Sequence, residues 1–195
     1  IADMDNNGGL DLIASTPAAG RAWLSDVQGE FHPLDKLLPG LMFSVIELTG
    51  DGRLDLLGLS ETEQPIRLVN QGTKSYFWLT LQPRAVPVPG DGRINSFGLG
   101  GEVEVRAGLL FQKQPITGPI LHFGLGEQRT ADVARIIWPN GDVQAEFALQ
   151  ANQVVVARQR LKGSCPWVFT YDGEAMRFVT DFLWGSPLGL RINAQ

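Results

Sequence analysis

The sequence predicts an all-β chain, on three observations. Its apolar residues fall in strand-length runs such as LDLIAS, MFSVIEL, VARIIW and QVVVAR, none long enough to sustain a helix. Acidic and glycine-rich turns cut these runs at short intervals. Gly and Pro together fill 35 of 195 positions, above the roughly 12% of an average chain. At about 150 residues per domain the length allows one large or two small domains.

Between residues 1 and 72 the runs are LDLIAS, MFSVIEL, LDLLGLS and IRLVN. Aligning the segment with itself places DMDNNGGLDLIAS at Asp3 over ELTGDGRLDLLGL at Glu47, a period of 44 residues. That period suits a β-propeller blade of about four short strands. A propeller closes with about four to eight blades, so two copies read as its terminal blades, with the others expected before Ile1. YFWLTLQ adds a strand, so that residues 1–82 are read as repeats. PRAVPVPGDGR, residues 83–93, has the composition of a linker.

Residues 94–162 read as a second domain, an antiparallel β-sandwich. Glu102 to Ala107 alternates charged and apolar residues at period two, as a strand with one wet face does. ILHF, VARIIW, VQAEFAL and QVVVAR follow, and Val103, Val105, Ile136, Trp138 and Val155 are expected to face the core. Residues 163–195 open a further β segment, with a hairpin about Asp172-Gly173 that puts Trp167, Phe169 and Tyr171 on one face. The chain starts without Met and stops at LRINAQ with no turn, and reads as an interior piece of a longer protein.

The net charge of −5 offers no field for a phosphate backbone, which argues against a nucleic-acid partner. No run approaches the roughly 20 apolar residues of a membrane span, and the first residues lack the pattern of a signal peptide. A lone Cys165 cannot form an internal disulfide and reads as a small hydrophobe.

The most specific local signal is the loop from Asp3 to Asp11, with side-chain oxygens at Asp3, Asp5, Asn7 and Asp11 and a glycine at its sixth position. Calcium takes about six to eight hard oxygen ligands, which a short loop supplies by turning alternate side chains inward. Asp3, Asp5, Asn7 and Asp11 would do so, joined by the Gly9 carbonyl. Three carboxylates this close repel unless a cation compensates them. An EF-hand would require a bidentate Glu where Ala14 stands and a helix where LDLIAS reads as a strand. Asx turns in a plain hairpin are the competing reading. In the second copy the equivalent positions are Glu47, Thr49, Asp51, the Arg53 carbonyl and Asp55. Glu47 is a methylene too long and Thr49 a weak ligand, so a decayed site held by turn hydrogen bonds is favoured over calcium there.

These DxDxxGxxD loops, each running into an LDL strand, resemble the FG-GAP or VCBS-type calcium repeats of β-propellers. Downstream, NSFGLGG leading into EVEV, then HFGLG from His122 to Gly126, then WPNG from Trp138 to Gly141, resemble the ASPIC/UnbV domain. Such a domain typically follows a propeller of this kind in secreted acidic proteins of animal cartilage and in many secreted bacterial proteins. GSCPWVFTYDGEAMRF is similar to the segment after the domain in the bacterial members, and the absence of a Cys-rich module in the chain fits that branch.

Other residues have plainer readings. His122 is expected to support a turn by hydrogen bonding, and His32 stands beside Pro33 without a partner motif. No G-x-S-x-G elbow is present. GLGG and GLGEQR imitate phosphate loops but lack the third glycine and the helix, and read as turns at positive φ. Asp172, Glu174 and Asp181 lie in or near a hairpin turn and read as solvated surface. The expected function is a non-enzymatic, calcium-binding, extracytoplasmic interaction or adhesion module with a protein or glycan ligand. The alternatives are an accessory region of a secreted carbohydrate-active lyase or hydrolase, and an inert spacer.

Overall fold

The computed structural model describes residues 1–26, 28–86, 94–160 and 167–181, and none of these is helical. β1 (Leu12–Ser15), β2 (Gly20–Ser25) and β3 (Phe31–Pro33) form an antiparallel meander, and β4 (Leu41–Ile46), β5 (Asp55–Leu59) and β6 (Pro65–Leu68) form another. The 44-residue period superposes β1 on β5 and β2 on β6. Each meander has three strands, one fewer than the period suggests.

The strand after β6 is recruited elsewhere. β7 (Phe77–Arg84), grouped with the repeats on sequence, is the middle strand of a sheet ordered β10-β7-β13. β10 is Leu121–Gly126 and β13 is Gln153–Arg158. Leu79 and Leu81 of β7 are fully buried in the core between this sheet and a second one, and that burial, worth about 1.5–3 kcal/mol per side chain, explains the pairing. The second sheet is ordered β12-β11-β8-β9, from β8 (Glu102–Ala107), β9 (Leu110–Pro115), β11 (Thr130–Ile137) and β12 (Val143–Gln150). The sandwich is antiparallel except that β13 runs parallel to β7, a departure from the sequence expectation.

EVEVRA behaves as its alternation requires. Val103, Val105 and Ala107 are buried, while Glu102 meets Lys113 at 2.7 Å and Glu104 meets Arg135 at 3.0 Å on the outer face. Ile136 and Trp138 are likewise buried, and Val155 packs half-buried against the same cluster. The Trp138 ring lies against Gly98, where a Cβ would come within 2.9 Å of it, so GLGG and WPNG meet at one point of the core. On the edge, Gln112 and Gln114 of β9 donate to the Gly124 and His122 carbonyls of β10 at 2.6 and 2.7 Å, which stitches the two sheets together.

β14 (Trp167–Tyr171) and β15 (Met176–Asp181) form the expected hairpin, with Gly173 at φ 101° in the turn. Of the predicted aromatic face, Phe169 and Tyr171 are among the described side chains. The Phe169 ring packs tilted at 47° against Phe147 of β12, with centres 5.2 Å apart, whereas Tyr171 is exposed and its hydroxyl donates to the Gly173 carbonyl at 2.8 Å. The Trp167 side chain, Cys165 and most of the predicted linker lie outside the described residues.

Candidate metal centre

The first acidic loop is closed at its base by paired backbone hydrogen bonds between Ala2 and Asp11, at 3.2 and 2.9 Å. Asn6 at φ 63° and Gly8 at φ 89° turn the chain so that alternate side chains point inward. Asp3, Asp5 and Asp11 each bring a carboxylate oxygen within 4.8 Å of the others. Asp11 is fully buried, accepting from Met4 N at 2.6 Å and from Ser25 N at 2.8 Å. Asp3 Oδ2 accepts from Gly8 N at 2.8 Å, and Asp5 Oδ1 from Asn7 N at 3.2 Å. Asn7 and Gly9, the other expected ligands, are tied into the turn. Asn7 Oδ1 accepts from Gly9 N at 2.6 Å and Asn7 Nδ2 donates to the Ser25 carbonyl at 2.6 Å.

The electrostatics of this cluster are unfavourable as they stand. Burial, helped by the charges of Asp11 and Asp5, pushes the Asp3 carboxyl up to about 7, and burial also raises Asp11. Asp3 is 5% exposed and its Oδ1 is buried without a hydrogen-bond partner. An orphaned buried carboxylate oxygen costs about 1–3 kcal/mol or more. Lys74 Nζ compensates part of the charge, 2.7 Å from Asp5 Oδ2 and half-exposed. No local signal pointed to Lys74, which lies 69 residues from Asp5. A hard divalent cation fits this donor set, since it would supply the partner that Asp3 Oδ1 lacks.

The second loop is built differently. Glu47 Oε1 accepts from Thr49 N at 2.8 Å and from Gly50 N, and the Arg53 guanidinium lies 3.1 Å from Asp51 Oδ2. Asp55 is fully buried, with Oδ1 accepting from Asn70 N at 2.9 Å and Oδ2 left without a partner. Asn70 Nδ2 also donates to the Met4 and Leu54 carbonyls, at 2.7 and 3.1 Å. Among the described residues, Glu47, Asp51 and Asp55 do not converge as Asp3, Asp5 and Asp11 do.

The first loop is also bound to the sandwich. His122 Nε2 lies 2.7 Å from Asn6 Oδ1, and Gly126 N donates to the Asn6 carbonyl at 2.8 Å. Asn6 Nδ2 donates to the Gly52 carbonyl of the second loop at 2.9 Å. His122 does support a turn by hydrogen bonding, as expected, and the turn is that of the acidic loop at the far end of the chain. Burial holds its imidazole down at about 4, and Trp78 stacks on it with ring centres 6.1 Å apart. A cleft of about 580 Å³ opens beside this contact, lined among others by Asp3, Glu47, Trp78, Thr80, Gln114 and His122.

A second group, Asp26, Glu30 and His32, also brings its ligand atoms within 4.8 Å of one another, but at the surface rather than buried. His32, expected to stand alone, pairs with Asp26 at 2.7 Å on an exposed turn. Gly98, Gly100 and Gly126 take positive φ, as turn glycines rather than phosphate cradles. Asp172 accepts from Glu174 N and Ala175 N and pairs with Arg177, which together hold its carboxyl down at about 2 on an exposed turn.

No curated protein matches this chain. Residues 91–163, which contain β8 to β13, match the family model described as ASPIC and UnbV.

Proposed function

We propose that the chain is a calcium-binding, non-enzymatic interaction module of a larger extracytoplasmic protein, in which FG-GAP or VCBS-type repeats run into the ASPIC and UnbV domain. Calcium is held by Asp3, Asp5 and Asp11, with Asn7 and the Gly9 carbonyl completing the set. The observation that carries this reading is the buried Asp3, whose Oδ1 has no partner, in a cluster where Asp3, Asp5 and Asp11 each bring a carboxylate oxygen within 4.8 Å of the others. A cation satisfies that oxygen and relieves the repulsion in one step. The second loop is a turn, with Arg53 lying on Asp51 in place of an ion.

Location follows from affinity. Calcium sites of extracellular modules bind at about 10⁻⁴ to 10⁻³ M, and such a loop fills outside the cytosol and not within it. The carboxylates bordering the cleft are held by backbone amides, Asp3 by Gly8 N and Glu47 by Thr49 N. A protein or glycan partner is the corresponding occupant. Isothermal titration of the protein with calcium chloride tests the reading. One saturable site, lost in Asp11→Ala and kept in Asp55→Ala, is expected; absence of binding at millimolar calcium overturns it.

A further inference from the structure

We propose that the end of β10, His122 to Gly126, is a seat for the first acidic loop, so that residues of the sandwich which offer no ligand set the geometry of the ion site. The part concerning the ion rests on the calcium reading above; the seat itself does not.

The HFGLG run alternates in function along the strand. Phe123 and Leu125 are buried in the sandwich core. By the period of two, His122 and Gly124 share the opposite face, and Gly126 follows across a β-bulge at φ 57°. Each of the three meets the loop in its own way. His122 Nε2 lies 2.7 Å from Asn6 Oδ1, and Gly126 N donates to the Asn6 carbonyl at 2.8 Å. At Gly124 a Cβ would come 2.0 Å from Asp3 Oδ2 and 2.5 Å from Asn6 Cα, so the seated loop occupies the space of a side chain there. A residue other than glycine at 124 displaces Asp3, a carboxylate of the candidate ion site.

Asn6 is the element that is held. It lies between Asp5 and Asn7 and at φ 63° occupies a conformation that asparagine tolerates. Its Nδ2 donates to the Gly52 carbonyl at 2.9 Å, which leaves Oδ1 as the acceptor for His122. His122 therefore carries its proton on Nε2, and its Nδ1 accepts from the Thr80 hydroxyl at 3.5 Å. Three segments distant in sequence meet on this one side chain, and the orientation of the loop is fixed from the sandwich side.

The test compares Gly124→Ala, His122→Gln and Asn6→Gly with wild type and with Gly118→Ala, whose Cβ would meet nothing within 4 Å. Hydrogen exchange of the loop amides of Met4 and Gly8 is measured in chelator, and calcium affinity by titration calorimetry. Loop exchange is expected to accelerate at least about tenfold in the first three variants, and calcium affinity to fall about tenfold or more, with Gly118→Ala unchanged. Asn6→Gly keeps the positive φ and removes only the side chain, so it decides the matter if Gly124→Ala unfolds. Wild-type exchange in His122→Gln and Asn6→Gly overturns the seat whether or not calcium binds. Faster exchange with unchanged calcium affinity overturns its link to the ion site. A wild-type protein that binds no calcium, yet shows faster loop exchange in these variants, retains the seat and loses only the calcium reading.

Discussion

His122 Nε2 and Asn6 Oδ1 lie 2.7 Å apart although 116 residues separate them in the chain. The bond joins the stretch that matches the ASPIC and UnbV model to the acidic loop at the start of the chain, with Gly124 and Gly126 following it on the strand. The candidate ion site and the sandwich are one packed unit there, and perturbing one reaches the other.

Asp3 dictates a pH dependence in calcium-free buffer. Its folded-state pKa of about 7 lies above the ordinary value of 3.8, so the folded chain holds a proton that the unfolded chain releases. Its contribution to stability is complete below about pH 4 and is lost as pH rises through about 7. His122 acts with the opposite sign, because its folded value of about 4 lies below 6.5 and its contribution is lost as pH falls through that range. Asp3→Asn isolates the first effect. The stability difference between wild type and Asp3→Asn, from urea midpoints between about pH 4.5 and 7.5, should move against the wild type as pH rises; parallel curves would contradict the buried state of Asp3.

Lys74 should compete with a bound cation. Its ammonium lies 2.7 Å from Asp5 Oδ2 and repels any second positive charge in the cluster. Lys74→Gln is expected to raise calcium affinity by about two- to fivefold at low salt, with the gain shrinking in about 1 M salt. A weaker site in that variant would make Lys74 a support of the loop.

Two neighbouring glycines separate conformational strain from lack of space. Gly50 at φ 79° would meet nothing with a Cβ, whereas at Gly52, at φ 76°, a Cβ would come 1.8 Å from Trp78 Nε1. Gly50→Ala should cost about 1 kcal/mol, from the backbone alone. Gly52→Ala should cost about 3 kcal/mol or more, because it also dislodges the indole stacked on His122. Equal losses in chemical denaturation would show that the second loop does not press on Trp78.

Local patterns carried much of the architecture. The alternation in EVEVRA placed Val103 and Val105 inside, and the spacing of Asp3, Asp5 and Asp11 pointed to the cluster they form. What depended on distant partners was hidden. YFWLTLQ reads as a strand anywhere, but its place beside β10 and β13 is settled by the burial of Leu79 and Leu81. β9 escaped notice because LFQKQP has no apolar run, and its glutamines turn inward to bind β10 carbonyls. Lys74 and His122 carry no local mark of the loop they touch, since each reaches it only through the fold.

Thermal melting in calcium and in chelator measures the central claim directly. Calcium at about 100 times its dissociation constant stabilises a site that binds only the folded state by about 2.7 kcal/mol. For a protein of 195 residues that predicts a rise of about 5–11 °C in melting temperature. Asp11→Ala, which removes a fully buried carboxylate of the cluster, should lose most of the rise, and Asp55→Ala should keep it. Equal melting temperatures of the wild-type protein in millimolar calcium and in chelator would contradict a calcium site at Asp3, Asp5 and Asp11.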